Sequence, residues 1–165
     1  MTTRGTIAID FLGVRNSDAA NLGGSLRAEA AVALVMGDGV DVGKVNRIHS
    51  IAALVVPAGA AGVELDLVTL ANLLDGALGA ANVRGLMLIA DPSNVDEITV
   101  SPGDSDPWLG LLKTAASAVS LQAGDFHAFG SSAGWPVSAT SKTIKFSHDG
   151  ATDNRVQIAI LAASA

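Results

Sequence analysis

Val83-Arg84-Gly85-Leu86-Met87-Leu88-Ile89-Ala90, halted by Asp91-Pro92-Ser93-Asn94 and resumed by Glu97-Ile98-Thr99-Val100, is the stretch that decides the fold. Two short aliphatic runs separated by a cluster of turn formers read as strand, turn and strand. The same grammar recurs in both directions. Upstream, Thr6 to Phe11 alternates with Ile7, Ile9 and Phe11 on one face, and Gly13 to Gly24 has the composition of a loop. Ala30 to Met36 is a second apolar run ending at Gly37-Asp38-Gly39. Val45 to Val56 reads as one long strand or two bent near Ser50, and Val63-Glu64-Leu65-Asp66-Leu67 alternates with both acids on the solvent side.

Downstream, Ser101 to Pro107 is a loop by composition that delivers Trp108 into Leu109-Gly110-Leu111-Leu112. Ala118 to Leu121, a turn at Ala123-Gly124 and Phe126 to Phe129 follow, then a second loop from Gly130 to Ser141. Lys142 to His148 and Arg155 to Leu161 read as a hairpin joined by the polar segment Asp149 to Asn154. One segment departs from this pattern. Leu70, Leu73, Leu74, Ala77 and Leu78 are spaced three and four apart, which predicts a short helix or helical turn before Gly79. Eight or nine strands, at most one short helix and short connections predict an all-β chain, an antiparallel β-sandwich or jelly roll, over a doubly wound sheet. The length of 165 residues fits one domain, with 1–45 as an N-terminal arm or extra strands.

Composition narrows the function classes. The apolar 49% of the chain is 29 alanines and 43 Val, Ile or Leu, with three Met, four Phe, two Trp and no Tyr. That much branched aliphatic surface argues against disorder, while so few aromatics leave little from which to build a ligand platform. A net charge of −6 without any Lys or Arg cluster makes nucleic acid a poor partner. Zero cysteine excludes disulfides and thiolate metal sites. No hydrophobic leader follows Met1, so cytoplasmic synthesis is expected. The longest uncharged apolar stretch, Ile51 to Val63, is broken by Pro57, Gly59 and Gly62, so no membrane span is expected.

Candidate chemistry is sparse. Gly37 to Lys44 resembles a phosphate loop only superficially, since Asp38 stands where the first glycine belongs and Val45 where Ser or Thr belongs. It reads as a polar turn. His49, His127 and His148 form no closely spaced pair and read as solvent-face residues rather than a metal triad. Asp91, Asp96, Glu97, Asp104 and Asp106 lie between Gly85 and Leu112, where no Lys or Arg occurs, but they lack the spacing of a calcium loop and read as loop solvation. Paired carboxylates for glycoside hydrolysis lack the aromatic cleft that chemistry uses. Gly130-Ser131-Ser132-Ala133-Gly134 is the nearest approach to a nucleophile elbow and lacks its strand-turn-helix setting. The expectation is therefore no catalytic, cofactor-binding or metal residue and no enzyme. Trp108 reads as a cap on the core. Trp135, beside Pro136 in a polar loop, reads as an interface anchor as readily as a core plug, so Trp135, Pro136 and Trp108 are the interface candidates.

A family resemblance adds to this. Asp106-Pro107-Trp108-Leu109-Gly110-Leu111, Val119 to Gly124, Gly134-Trp135-Pro136-Val137, Lys142 to Phe146 and Val156 to Ile160, in that order, resemble small tailed-bacteriophage virion proteins. Val63 to Leu67 and Val83 to Leu88 are similar to the same group, so the resemblance spans Ile48 to Leu161. It implies a virion structural protein with a β-sandwich fold, located in the virus particle. The specific form expected is a capsid decoration protein that binds the major capsid protein or other virion proteins as a homotrimer, with neither nucleic acid nor membrane as partner. The alternative is a tail-associated structural or host-glycan-binding module, and a hydrolase is the weakest reading. Residues 1–45 lie outside the resemblance and suit an arm that contacts a neighbouring subunit.

Overall fold

In the computed structural model the backbone is described for residues 5–16, 25–73 and 76–164, and side chains for 36–73 and 76–164. The chain is all-β, with eleven strands and no helix among these residues. Eight of them, β4 (Arg47–Val56), β5 (Val63–Asp66), β6 (Ala80–Ala90), β7 (Ile98–Pro102), β8 (Val119–Leu121), β9 (Phe126–Pro136), β10 (Thr143–Ser147) and β11 (Asn154–Ser164), form two four-stranded antiparallel sheets. Their orders are β4-β11-β6-β9 and β5-β10-β7-β8. Pairing is nested: β4 with β11, β5 with β10, β6 with β9, β7 with β8. A chain folded back on itself and then rolled into two sheets has this pairing, so the sandwich is a jelly roll.

Alternation builds the core. Val156, Ile158, Ile160 and Ala162 of β11 and Leu86, Leu88 and Ala90 of β6 face Ile144 and Phe146 of β10 and Ile98 and Val100 of β7 across the sandwich. All of these are buried. β4 is one strand with a bulge: Leu54 pairs with Val156 and Ile51 with Ile158, so Ala52 and Ala53 together oppose Gln157.

The remaining strands stand apart. β1 (Gly5–Asn16) and β2 (Ser25–Asp38) pair along their length as an antiparallel ribbon, from Gly5 opposite Met36 to Asn16 opposite Ser25. β2 continues into a short parallel pairing with β3 (Lys44–Val45). The expected loop from Gly13 is therefore corrected as far as Asn16, which belongs to β1; 17–24 lie outside the described residues.

Three further expectations are corrected. The helix over Leu70 to Leu78 is a bridged loop, in which Ala71 pairs with Ala77, Asn72 N–H donates to Gly76 O and Leu78 N–H to Leu70 O; Leu74 lies outside the described residues. Gly76 and Gly79 have φ of 65° and 52°, which a right-handed helix does not accommodate. β10 and β11 are not a hairpin: they belong to different sheets, and their connection crosses the sandwich. It runs beside the β4–β5 crossing, to which Gly59 N–H donating to Gly150 O and Ala58 N–H donating to Asp153 Oδ1 bind it. Finally, Gly130 to Pro136 continues β9 rather than forming a loop.

Candidate functional site

The three residues singled out as interface candidates meet at one corner. Trp108 follows the loop after β7, its main-chain N–H donating to Thr143 O, and its indole is 1% exposed. Nε1 donates to Pro136 O at 2.9 Å, and the ring meets Trp135 edge-on at 6.5 Å. A geometry of this kind satisfies the indole while burying its apolar body. Trp108 is therefore a core residue, and the surface there is made by Pro136 and the partly buried Trp135. Trp135 packs on the core from within β9, a correction to the polar loop expected around it. Beside Pro136 a hollow of about 250 Å³ is lined by Leu109, Gly110, Lys113, Ser138 and Ser141. Leu109 is 38% exposed at its edge.

A second corner carries the ionisable residues. Asp96, Glu97, Thr99, Ser147, His148, Asp149 and Gly150 line a hollow of about 430 Å³. The groups that define it are engaged within the fold. His148 Nε2 donates to Val56 O and its Nδ1 accepts from Gly150 N–H, each at 3.1 Å. Asp96 Oδ2 stands 3.8 Å from that Nδ1, and Glu97 accepts from Gln122 Nε2. The other acids are likewise used locally. Asp91 accepts from the N–H and Oγ of Ser93, which holds its carboxyl below the usual range. Asp104 pairs with Lys145 at 2.7 Å, and Asp106 lies 3.9 Å from Lys142.

The histidines do not converge. His49 and His148 are buried, contrary to the solvent-face expectation, and His49 Nδ1 donates to Ala71 O. His127 lies on β9, stacked loosely on Phe129 at 6.0 Å. Among the described residues no three of His, Asp and Glu are grouped as a metal ion would need.

Arg84 is the functional-looking residue that sequence reading did not single out. It is 2% exposed in the middle of β6. Opposite it β9 bulges, since Val83 pairs with Trp135 and Gly85 with Gly130, leaving Ser131 to Gly134 around one position. The guanidinium donates to Ser132 O inside that bulge and, through Nη2, to Val40 O at 3.1 Å. Gly43 N–H also donates to Ser132 O, at 2.8 Å. Gly130-Ser131-Ser132-Ala133-Gly134 is thus a backbone cradle for an arginine that fastens the β2–β3 turn to the sandwich. The phosphate-loop lookalike is that turn, closed by a Lys44–Asp41 ion pair at 2.9 Å. A lone Arg inside an apolar strand was the available signal.

Comparison of the chain with family models, with curated proteins and with solved structures finds no match.

Proposed function

We propose that the chain is a structural protein of a tailed-bacteriophage particle, a capsid decoration protein that binds the outer capsid surface as a homo-oligomer. The observation that carries this reading is the jelly roll itself, an eight-stranded arrangement used by viral capsid domains. That support is analogy between folds. The ribbon outside both sheets also fits a subunit that reaches toward neighbours, and a chain of net charge −6 is better suited to protein than to nucleic-acid contact.

Quantitative mass spectrometry of purified particles tests it. A copy number comparable with the major capsid protein supports decoration. A few copies per particle would move the chain to the tail or a vertex, and absence from particles would end the reading. Deleting residues 1–16 should leave a folded protein that binds particles poorly.

A further inference from the structure

The two sheets differ on their outer faces. On β5-β10-β7-β8 the outward positions are polar, among them Glu64, Asp66, Lys145, Ser147, Thr99, Ser101 and Ser120. On β4-β11-β6-β9 they include Val55, Ala159, Leu161, Met87, Ile89 and Ala128, with Arg155, Gln157 and Ser50 as the polar exceptions. Val55 on one edge strand and Phe126 on the opposite edge strand are 44% and 43% exposed. An antiparallel sheet with one solvated face shows alternation, whereas Leu86-Met87-Leu88-Ile89-Ala90 and Ile158-Ala159-Ile160-Leu161-Ala162 are apolar at every position, the pattern of strands covered on both sides.

The chain carries a segment that matches this face. In the β1–β2 register Ile7 opposes Leu34, Ile9 opposes Val32 and Phe11 opposes Ala30, and these positions share one face of the ribbon. A two-stranded ribbon is marginal by itself in water, so it needs a surface. The ribbon's own sheet does not offer one in line. A single residue, Asn46, separates β3 from β4 and is hydrogen-bonded to Ala162 and Ser164 at the end of β11. β2 runs parallel to β3, pairing Gly37 with Lys44 and Asp38 with Val45, so the rest of β2 extends upstream, past the end of the sheet where β4 begins.

We infer that the outer face of β4-β11-β6-β9 receives the β1–β2 ribbon of a second copy of this chain. Twelve residues at ~3.3 Å each and two strands ~5 Å apart give a ribbon face of roughly 400 Å². Two copies that exchange ribbons with each other each bury about 800 Å² in the one interface they share, the amount per partner in a standard stable interface. Because each copy gives its ribbon to the copy from which it takes one, the contact is two-fold and closed. This rests on the homo-oligomeric part of the proposed function and is independent of what the oligomer binds.

The absence of native cysteine permits a clean test. Ile9→Cys and Ala159→Cys copies of the full chain, differing in mass tag, are mixed, allowed to exchange and treated with a short bismaleimide. A crosslinked species containing one of each is the expected result. No crosslink between the two copies, or, in a chain that carries both substitutions, crosslinking only within that chain, overturns the inference. In parallel, light scattering should show Met87→Glu reduced to the monomer mass while Thr99→Glu, on the solvated sheet, keeps the oligomer; a monomeric parent protein overturns it as well. Loss of particle binding with crosslinking intact would instead remove the decoration reading and leave this one standing.

Discussion

The indole of Trp108 donates to the carbonyl oxygen of Pro136 across 2.9 Å, tying the loop that follows β7 to the last residue of β9. That bond joins the two sheets at one corner, because β7 belongs to one and β9 to the other. It also explains the glycine two residues on. A Cβ at Gly110 would stand 2.7 Å from Trp108 Nε1 and 2.8 Å from Trp135 Cβ, so the edge-on indole pair requires a bare backbone there.

Trp108→Phe keeps most of the buried ring but strands the Pro136 carbonyl, and should cost about 1–2 kcal/mol. Trp108→Ala also opens a cavity and should cost about 3–5 kcal/mol. Urea midpoints at constant slope measure both. Equal midpoints for the Phe variant and the parent would show that the hydrogen bond contributes nothing.

Gly62 and Gly59 flank the β4–β5 crossing with φ of 65° and 87°, so alanine at either carries the left-handed penalty of about 1–2 kcal/mol. Only Gly62 has a neighbour in the way. A Cβ there runs into the Phe146 carbonyl group, whereas at Gly59 the space is open. Thermal unfolding should therefore show Gly62→Ala clearly less stable than Gly59→Ala. Equal losses would mean that the backbones of β10 and the crossing separate at little cost.

Legibility followed the range of the interaction. The strands of the core were readable because Val63-Glu64-Leu65 and Ile144-Lys145-Phe146 alternate locally. Which strands are neighbours was not. β10 and β11 have the same period whether or not they share a sheet, and the crossing is decided by His148 donating to Val56 and Gly59 donating to Gly150, contacts between distant segments. Leu70 to Leu78 had helical spacing, and the backbone freedom of Gly76 and Gly79 prevailed over it. Gly130 to Gly134 had loop composition because its partner, Arg84, is a residue 48 positions away from Ser132. At the candidate site Trp108 was readable as a core cap, but the neighbours that draw Trp135 into the core lie on β6 and after β7.

Arg84 offers a direct measurement of that hidden link. Arg84→Met retains the apolar stem and removes the donors to Ser132 O and Val40 O, and should cost about 2–3 kcal/mol. The local signature is amide exchange at Gly43, whose N–H donates to the same Ser132 oxygen. Faster exchange at Gly43 with the β11 core amides unchanged is expected. Unaltered protection at Gly43 would show that the bulge holds the β2–β3 turn without the guanidinium.

Asp66 and Lys142 set the pH range over which one end of the β5–β10 pair is secured. Burial opposes ionisation of Asp66, but Lys142 at 2.8 Å and the N–H groups of Val68 and Thr69 outweigh it and hold the carboxyl below its ordinary value of 3.8. Its stabilisation is therefore complete above the unfolded value and is lost as the pH falls through the lower, folded one. Lys142 is shifted the other way, raised above 10.5 by the hydrogen bond and charge of Asp66, so its share is complete below that value and is lost only as the pH rises past the folded one. Between these limits the pair contributes a constant amount. Asp66→Asn keeps an oxygen for the turn and should flatten the acid limb of the stability profile with a small loss at neutral pH. Asp66→Ala removes the turn acceptor as well and should cost about 1 kcal/mol or more at every pH above the limb. An acid limb in Asp66→Asn as steep as in the parent would assign the acid sensitivity to other carboxylates.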